Sequence, residues 1–205
     1  MSLPGRTFGR VVLLAAAMVA VVVTIAVYLT HPPHWKTSFT SVSAASIGGP
    51  FRLTAQDGSV VDSQELKGTP YAVFFGFTHC PEVCPTTLSQ VSRVLHELGS
   101  EAKDLRVYFI TVDPERDTPD VLRDYLSNFD SRIVGLWGTP DQIANVAKEF
   151  RAFYEKVPTS DGGYTMDHTA ILYLMNSEGD YSAPIGYSED EASYLAKFRA
   201  LLEGS

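Results

Sequence analysis

The chain has 205 residues, 45% hydrophobic and 20% charged, with a formal net charge of −8. That length allows one anchor and one domain. Residues 1–30 hold two basic and no acidic residues, so the remainder carries 14 against 24, a net of −10. A body this acidic excludes nucleic acid and anionic membrane surfaces as partners.

Arg6 and Arg10 are the only charges before residues 11–29 (VVLLAAAMVAVVVTIAVYL), which have none. A helix of about 20 apolar residues spans a bilayer core. The run is too long for a signal-peptide core and exits through Tyr28, Leu29, Thr30 and His31 into two prolines, a poor cleavage site. It predicts a single uncleaved transmembrane helix with residues 1–10 left in the cytoplasm. Residues 30–46 are rich in Pro, Ser and Thr and read as a linker; His31 and His34 within it are at most a slight hint of metal. A domain is expected over 47–205.

Its elements alternate. Phe51–Thr54 and Val60-Val61 flank an Asp57-Gly58 turn, an opening hairpin. Tyr71–Phe77 is an unbroken apolar run, the mark of a strand buried on both faces. A helix over Thr86–Leu98 follows, then a strand over Leu105–Val112. Thr118-Pro119 caps a helix with Val121, Leu122, Tyr125, Leu126 and Phe129 on its inner stripe. Ile133–Trp137 is a strand, and Thr139-Pro140 starts a helix carrying Ile143, Val146, Ala147 and Phe150. Strands near Ala152–Lys156 and Ala170–Met175 precede a turn at Glu178-Gly179-Asp180 and a last helix with Tyr194, Leu195, Phe198, Leu201 and Leu202. The order predicts an α/β domain, one central sheet with helices on both faces.

The two cysteines of the chain, Cys80 and Cys84, stand where the buried strand ends and the helix begins. Strand ends of such sheets form ligand crevices. A helix N-terminus stabilises a thiolate, and Pro81 and Pro85 stiffen the loop. A disulfide over so short a loop adds little chain-entropy stability, so the pair reads as functional. It suits dithiol–disulfide exchange or a soft metal with a third ligand. His79 should point away from Cys80. His96 reads as a surface residue near the end of its helix. His168, before the strand Ala170–Met175, is the remaining candidate, although spacing alone favours a buried, hydrogen-bonded histidine over a ligand. Val73 stands seven before Cys80 where a peroxidatic site would have proline.

The string Phe74–Pro85 (FFGFTHCPEVCP), Val112-Asp113-Pro114-Glu115-Arg116-Asp117-Thr118, and Asp167-His168-Thr169 together resemble the Sco/SenC family, a likeness running from about Gly48 to the last helix. The resemblance implies a thioredoxin-like fold tethered to a membrane. It also implies a copper site, Cu(I) or Cu(II), from Cys80, Cys84 and His168. Asp113 is implied near the metal, and Asp167 is a further candidate for orienting the histidine loop. The implied role is assembly of the dinuclear copper centre of cytochrome c oxidase. Partners would be the copper-receiving oxidase subunit and another periplasmic copper chaperone or thioredoxin-like reductant. Metal transfer is the primary expectation; the alternative is a thiol–disulfide reductase that keeps the oxidase cysteines reduced, with Cys80 and Cys84 as its redox pair. Glu82 replaces the aspartate common in the family's cysteine loop, and Pro184-Ile185-Gly186-Tyr187 matches more loosely. The short N-terminus points to a bacterial inner membrane with the domain in the periplasm, the mitochondrial inner membrane being the alternative.

Overall fold

The computed structural model describes residues 47–204 together with Met18 and Val21. Among these no helix is long and apolar enough to cross a membrane. The expected anchor and linker, like His31 and His34, otherwise lie outside the described residues.

Within residues 47–204, nine strands and four α-helices follow in the order β1 (Arg52–Ala55), β2 (Val60–Asp62), β3 (Tyr71–Gly76), α1 (Val83–Leu98), β4 (Arg106–Thr111), α2 (Pro119–Leu126), β5 (Ile133–Trp137), α3 (Pro140–Glu149), β6 (Tyr154–Pro158), β7 (Tyr164–His168), β8 (Ile171–Met175), β9 (Tyr181–Gly186) and α4 (Glu191–Glu203). Seven strands form one sheet in the order β2-β1-β5-β4-β3-β8-β9, and β6 and β7 form a separate two-stranded sheet.

The apolar run becomes β3, buried at every position. It pairs parallel with β4 and antiparallel with β8, which leaves it no solvated face or edge. Phe74 and Gly76 face Phe109 and Cys84. Phe75 points to the other side, where its ring lies 5.6 Å from Phe150 at the end of α3 and 6.1 Å from Tyr173. Helices therefore cover both faces of the sheet.

The helix starts follow from their caps. Thr139 and Gln142 form a reciprocal capping box with Pro140 in the first turn of α3. Thr118 accepts from the Val121 amide at the start of α2, and Asp190 accepts from Ser193 in α4.

Several expectations need correction. Val121 is exposed; α2 is so short that Leu122 and Leu126, one turn apart, supply its buried stripe. Phe129 lies beyond its end. Helix α1 starts at Val83, since proline in a first turn sacrifices no helical hydrogen bond. β6 begins at Tyr154, after Arg151 turns the chain with φ 52°. β7 and β9 are strands that the sequence does not predict. Pro184 sits inside β9, tolerated because β9 is an edge strand whose outward side needs no amide.

Candidate metal centre

Cys80 leaves the end of β3 in a turn, its amide donating to the Phe77 carbonyl at 3.2 Å. Helix α1 has no side-chain cap. Instead the Cys84 amide, in the first turn, donates to Cys80 Sγ at 3.4 Å. The sulfur thus serves the role of a cap, and the unpaired amides and helix dipole favour its ionised form. Cys84 is fully buried, Cys80 half-buried, and both are free thiols. Gly76 makes the room: a β-carbon there would lie 2.8 Å from Cys84 Sγ and 2.6 Å from the Phe109 ring.

His168, at the end of β7, reaches the pair from 84 residues away, its Nε2 standing 3.6 Å from Cys84 Sγ. Its Nδ1 is 3.1 Å from the Thr169 carbonyl. A carbonyl only accepts, so Nδ1 carries the hydrogen and the Nε2 lone pair faces the sulfurs. Phe74 and Phe77 meet the ring edge-on at 6.2 and 5.7 Å. Among the described residues, Cys80, Cys84 and His168 form the cluster able to hold a metal ion, their ligand atoms all within 4.8 Å of one another.

The two thiols share protons unequally. The Cys84 thiol donates to Cys80 and, with the first-turn amides, lowers the Cys80 pKa to about 3. Cys84 is pushed well up, by that same bond, by burial and by the negative Cys80 beside it. The reduced chain should hold one thiolate from about pH 4 to beyond about pH 9. Thiolate ultraviolet absorbance should then be flat across that window, whereas ordinary thiols, with pKa near 8.5, would lose theirs as pH falls. A rise centred near pH 8.5 would refute the arrangement.

The other expected residues fall elsewhere. His79 is exposed and bonds Thr78 Oγ1 through Nδ1 at 3.1 Å. His96 is exposed. Asp167 is exposed and pairs with Glu155 across the hairpin, so alternation turns it away from the sulfurs. Asp113 is buried, and its carboxylate accepts from Arg116 Nε and, at 2.9 Å, from the Tyr164 hydroxyl. It stands behind the site rather than among the ligands. Asp117, fully buried at the end of the same Asp-Pro-Glu-Arg-Asp string, adds a smaller upward push on Cys84, and nothing local in the sequence marks it for the site. Asp117 accepts from the Thr78 amide at 3.0 Å, the Thr78 hydroxyl at 2.6 Å and the Thr111 hydroxyl at 2.7 Å. Tyr187 closes the rim, its hydroxyl 3.2 Å from Glu82.

A sheet with covering helices, a dithiol loop at a helix start and an imidazole from the strand preceding β8 define a thioredoxin-like domain with a soft-metal pocket. Known proteins agree. The SCO1/SenC family model matches residues 40–203. The copper-bound ScoI of Bradyrhizobium japonicum is 47% identical, with TM-score 0.71, over 76% of this chain and 99% of that one. The SCO2-like protein of Rickettsia felis is 41% identical over 137 residues, 66% of this chain and 67% of that protein. BsSco, described as a member of the Sco family of cytochrome c oxidase assembly proteins, is 24% identical and shares the fold, with TM-score 0.62, over 78% of this chain and 95% of its own. The chain belongs to the SCO1/SenC family.

Proposed function

We propose that this chain is a membrane-anchored copper carrier that helps assemble the dinuclear copper centre of cytochrome c oxidase, with Cys80, Cys84 and His168 as its ligands. One observation carries the reading: two thiols and an imidazole from distant segments converge within 4.8 Å. Thiolates select Cu(I), and a neutral imidazole suits copper in either oxidation state. The copper-bound relative from Bradyrhizobium and the oxidase-assembly description of BsSco support the cargo and the recipient.

The chain's own groups set how cargo would pass. Cys80, already ionised and half-buried, offers the first donor. Cys84 gives up its proton as the second sulfur binds, and His168 donates through Nε2. The half-buried side at Cys80 is where an acceptor's ligand would enter. Residues 1–10 would be cytoplasmic, 11–29 the anchor, 30–46 the tether and 47–205 the carrier domain in the periplasm of a bacterium. The uncharged run at 11–29 supports the anchor, and the Bradyrhizobium and Rickettsia relatives support a bacterial setting.

A second reading, compatible with the first, rests on the thiol asymmetry. The Cys80 thiolate would attack a disulfide of the recipient subunit, forming a mixed disulfide and releasing one thiolate. Cys84 would then displace the second, leaving Cys80–Cys84 oxidised and the recipient reduced by two electrons.

Titration of the full chain with Cu(I) against a competing chelator tests the carrier reading. The reduced protein should take up one equivalent, and the same protein oxidised to its disulfide none. Equal uptake by both forms, or none by the reduced form, would refute it.

A further inference from the structure

His168 ends a hairpin that makes no ladder with the main sheet and joins it through Thr169 and Ala170. β6 and β7 hydrogen-bond to each other and stand outside the seven-stranded ladder. The dithiol loop, in contrast, leaves β3 at the sheet centre. The short link to β8, the neighbour of β3, holds the His168 end of the hairpin, and the loop after β4 holds its far end at Tyr164 while also touching the dithiol loop.

On the dithiol side, Asp117 binds the Thr78 amide and hydroxyl, two residues before Cys80. On the hairpin side, Arg116 Nη1 donates to the Tyr164 carbonyl at 2.9 Å, and its guanidinium carbon lies 3.8 Å from the Tyr164 ring centroid. The Tyr164 hydroxyl returns to Asp113 on the same loop. Lys156 of β6 reaches Glu115 at 2.7 Å and stands 4.7 Å from the Tyr164 ring. Arg116 also lies 6.0 Å from the Phe77 ring, which meets the imidazole of His168 edge-on. Its Nη2 is buried without a hydrogen-bond partner among the described residues. An unpaired buried donor is costly, so the guanidinium is placed for its stacking and its two directed bonds rather than for full pairing.

We propose that residues Asp113–Asp117 form a two-sided bracket, with Arg116 and Tyr164 as positioning residues that set where the His168 ring stands relative to the dithiol. This rests on the copper-site reading above. Neither residue touches a ligand sulfur; they act through the hairpin and through Phe77.

The test uses full-length wild type, Arg116→Ala, Tyr164→Phe, His168→Ala and the double variant Arg116→Ala/His168→Ala. Circular dichroism checks folding, chelator competition gives Cu(I) affinity, and X-ray absorption counts nitrogen ligands. Arg116→Ala should weaken Cu(I) by roughly 10–100-fold, the usual effect of losing a ligand's support, and remove the nitrogen while both sulfurs stay. The double variant should bind no more weakly than His168→Ala alone, since both changes remove one interaction. Losses that multiply, or a nitrogen retained in Arg116→Ala, would overturn the bracket. If Arg116→Ala does not fold, Tyr164→Phe decides: about fivefold weakening, the worth of one hydrogen bond, supports the bracket, and wild-type affinity overturns it. A silent His168→Ala would instead refute the three-ligand site itself, and the bracket with it.

Discussion

Replacing Cys84 by serine is expected to abolish useful copper retention and lower stability together. Structural zinc sites with four ligands bind with about 10–16 kcal/mol, so by that scale one sulfur is worth roughly 3 kcal/mol, more than a hundredfold in affinity. A hydroxyl is also a far poorer ligand for Cu(I) than a thiolate. The stability loss has a separate origin. Cys84 is fully buried against Gly76 and Phe109, and a polar hydroxyl placed there costs about 1–3 kcal/mol where its hydrogen bonds are poor. Cys80→Ser should lose copper to the same degree with a smaller drop in stability, because Cys80 is half-buried. Denaturant midpoints measured beside copper competition check both. Equal destabilisation by the two serines would contradict the assigned burial, and copper retained by either would contradict the dithiol site.

His168→Ala should weaken copper at least tenfold while leaving dithiol reduction nearly intact. The ring supplies one metal donor through Nε2, whose lone pair gives no hydrogen bond to the Cys80 thiolate. The largest contribution to that thiolate comes from Cys84, which the substitution leaves in place. Copper affinity and the midpoint of dithiol reduction in a glutathione buffer separate the two effects. A midpoint that moves as far as the copper affinity would assign His168 to the redox pair instead of the metal. Affinity equal to wild type would remove it from the site.

The dithiol was legible because its residues are contiguous and sit where an apolar run gives way to a helical period. His168 was not legible as a ligand from spacing: 84 residues separate it from Cys84, and setting His79 and His96 aside left it a candidate that only the family resemblance raised above a buried, hydrogen-bonded histidine. The strand that carries it was missed because Tyr164–His168 is half-exposed and mixes apolar and polar residues, so neither alternation nor an apolar run marks it. Pro184 hid β9 in the same way. Asp117, Thr78, Arg116 and Tyr164 act through tertiary hydrogen bonds and stacking, which leave no periodicity in one sequence. The Thr-Pro helix starts at 118 and 139 were read correctly, since a cap is a local event within four residues. Of the expected outer carboxylates, Asp113 proved to bind the bracket, and Asp167 faces solvent.

X-ray absorption at the copper edge of the reduced full chain loaded with one equivalent of Cu(I) bears most directly on the site. Two sulfur ligands and one histidine nitrogen per copper are the expected result. A spectrum of sulfur alone, unchanged by His168→Ala, would contradict it.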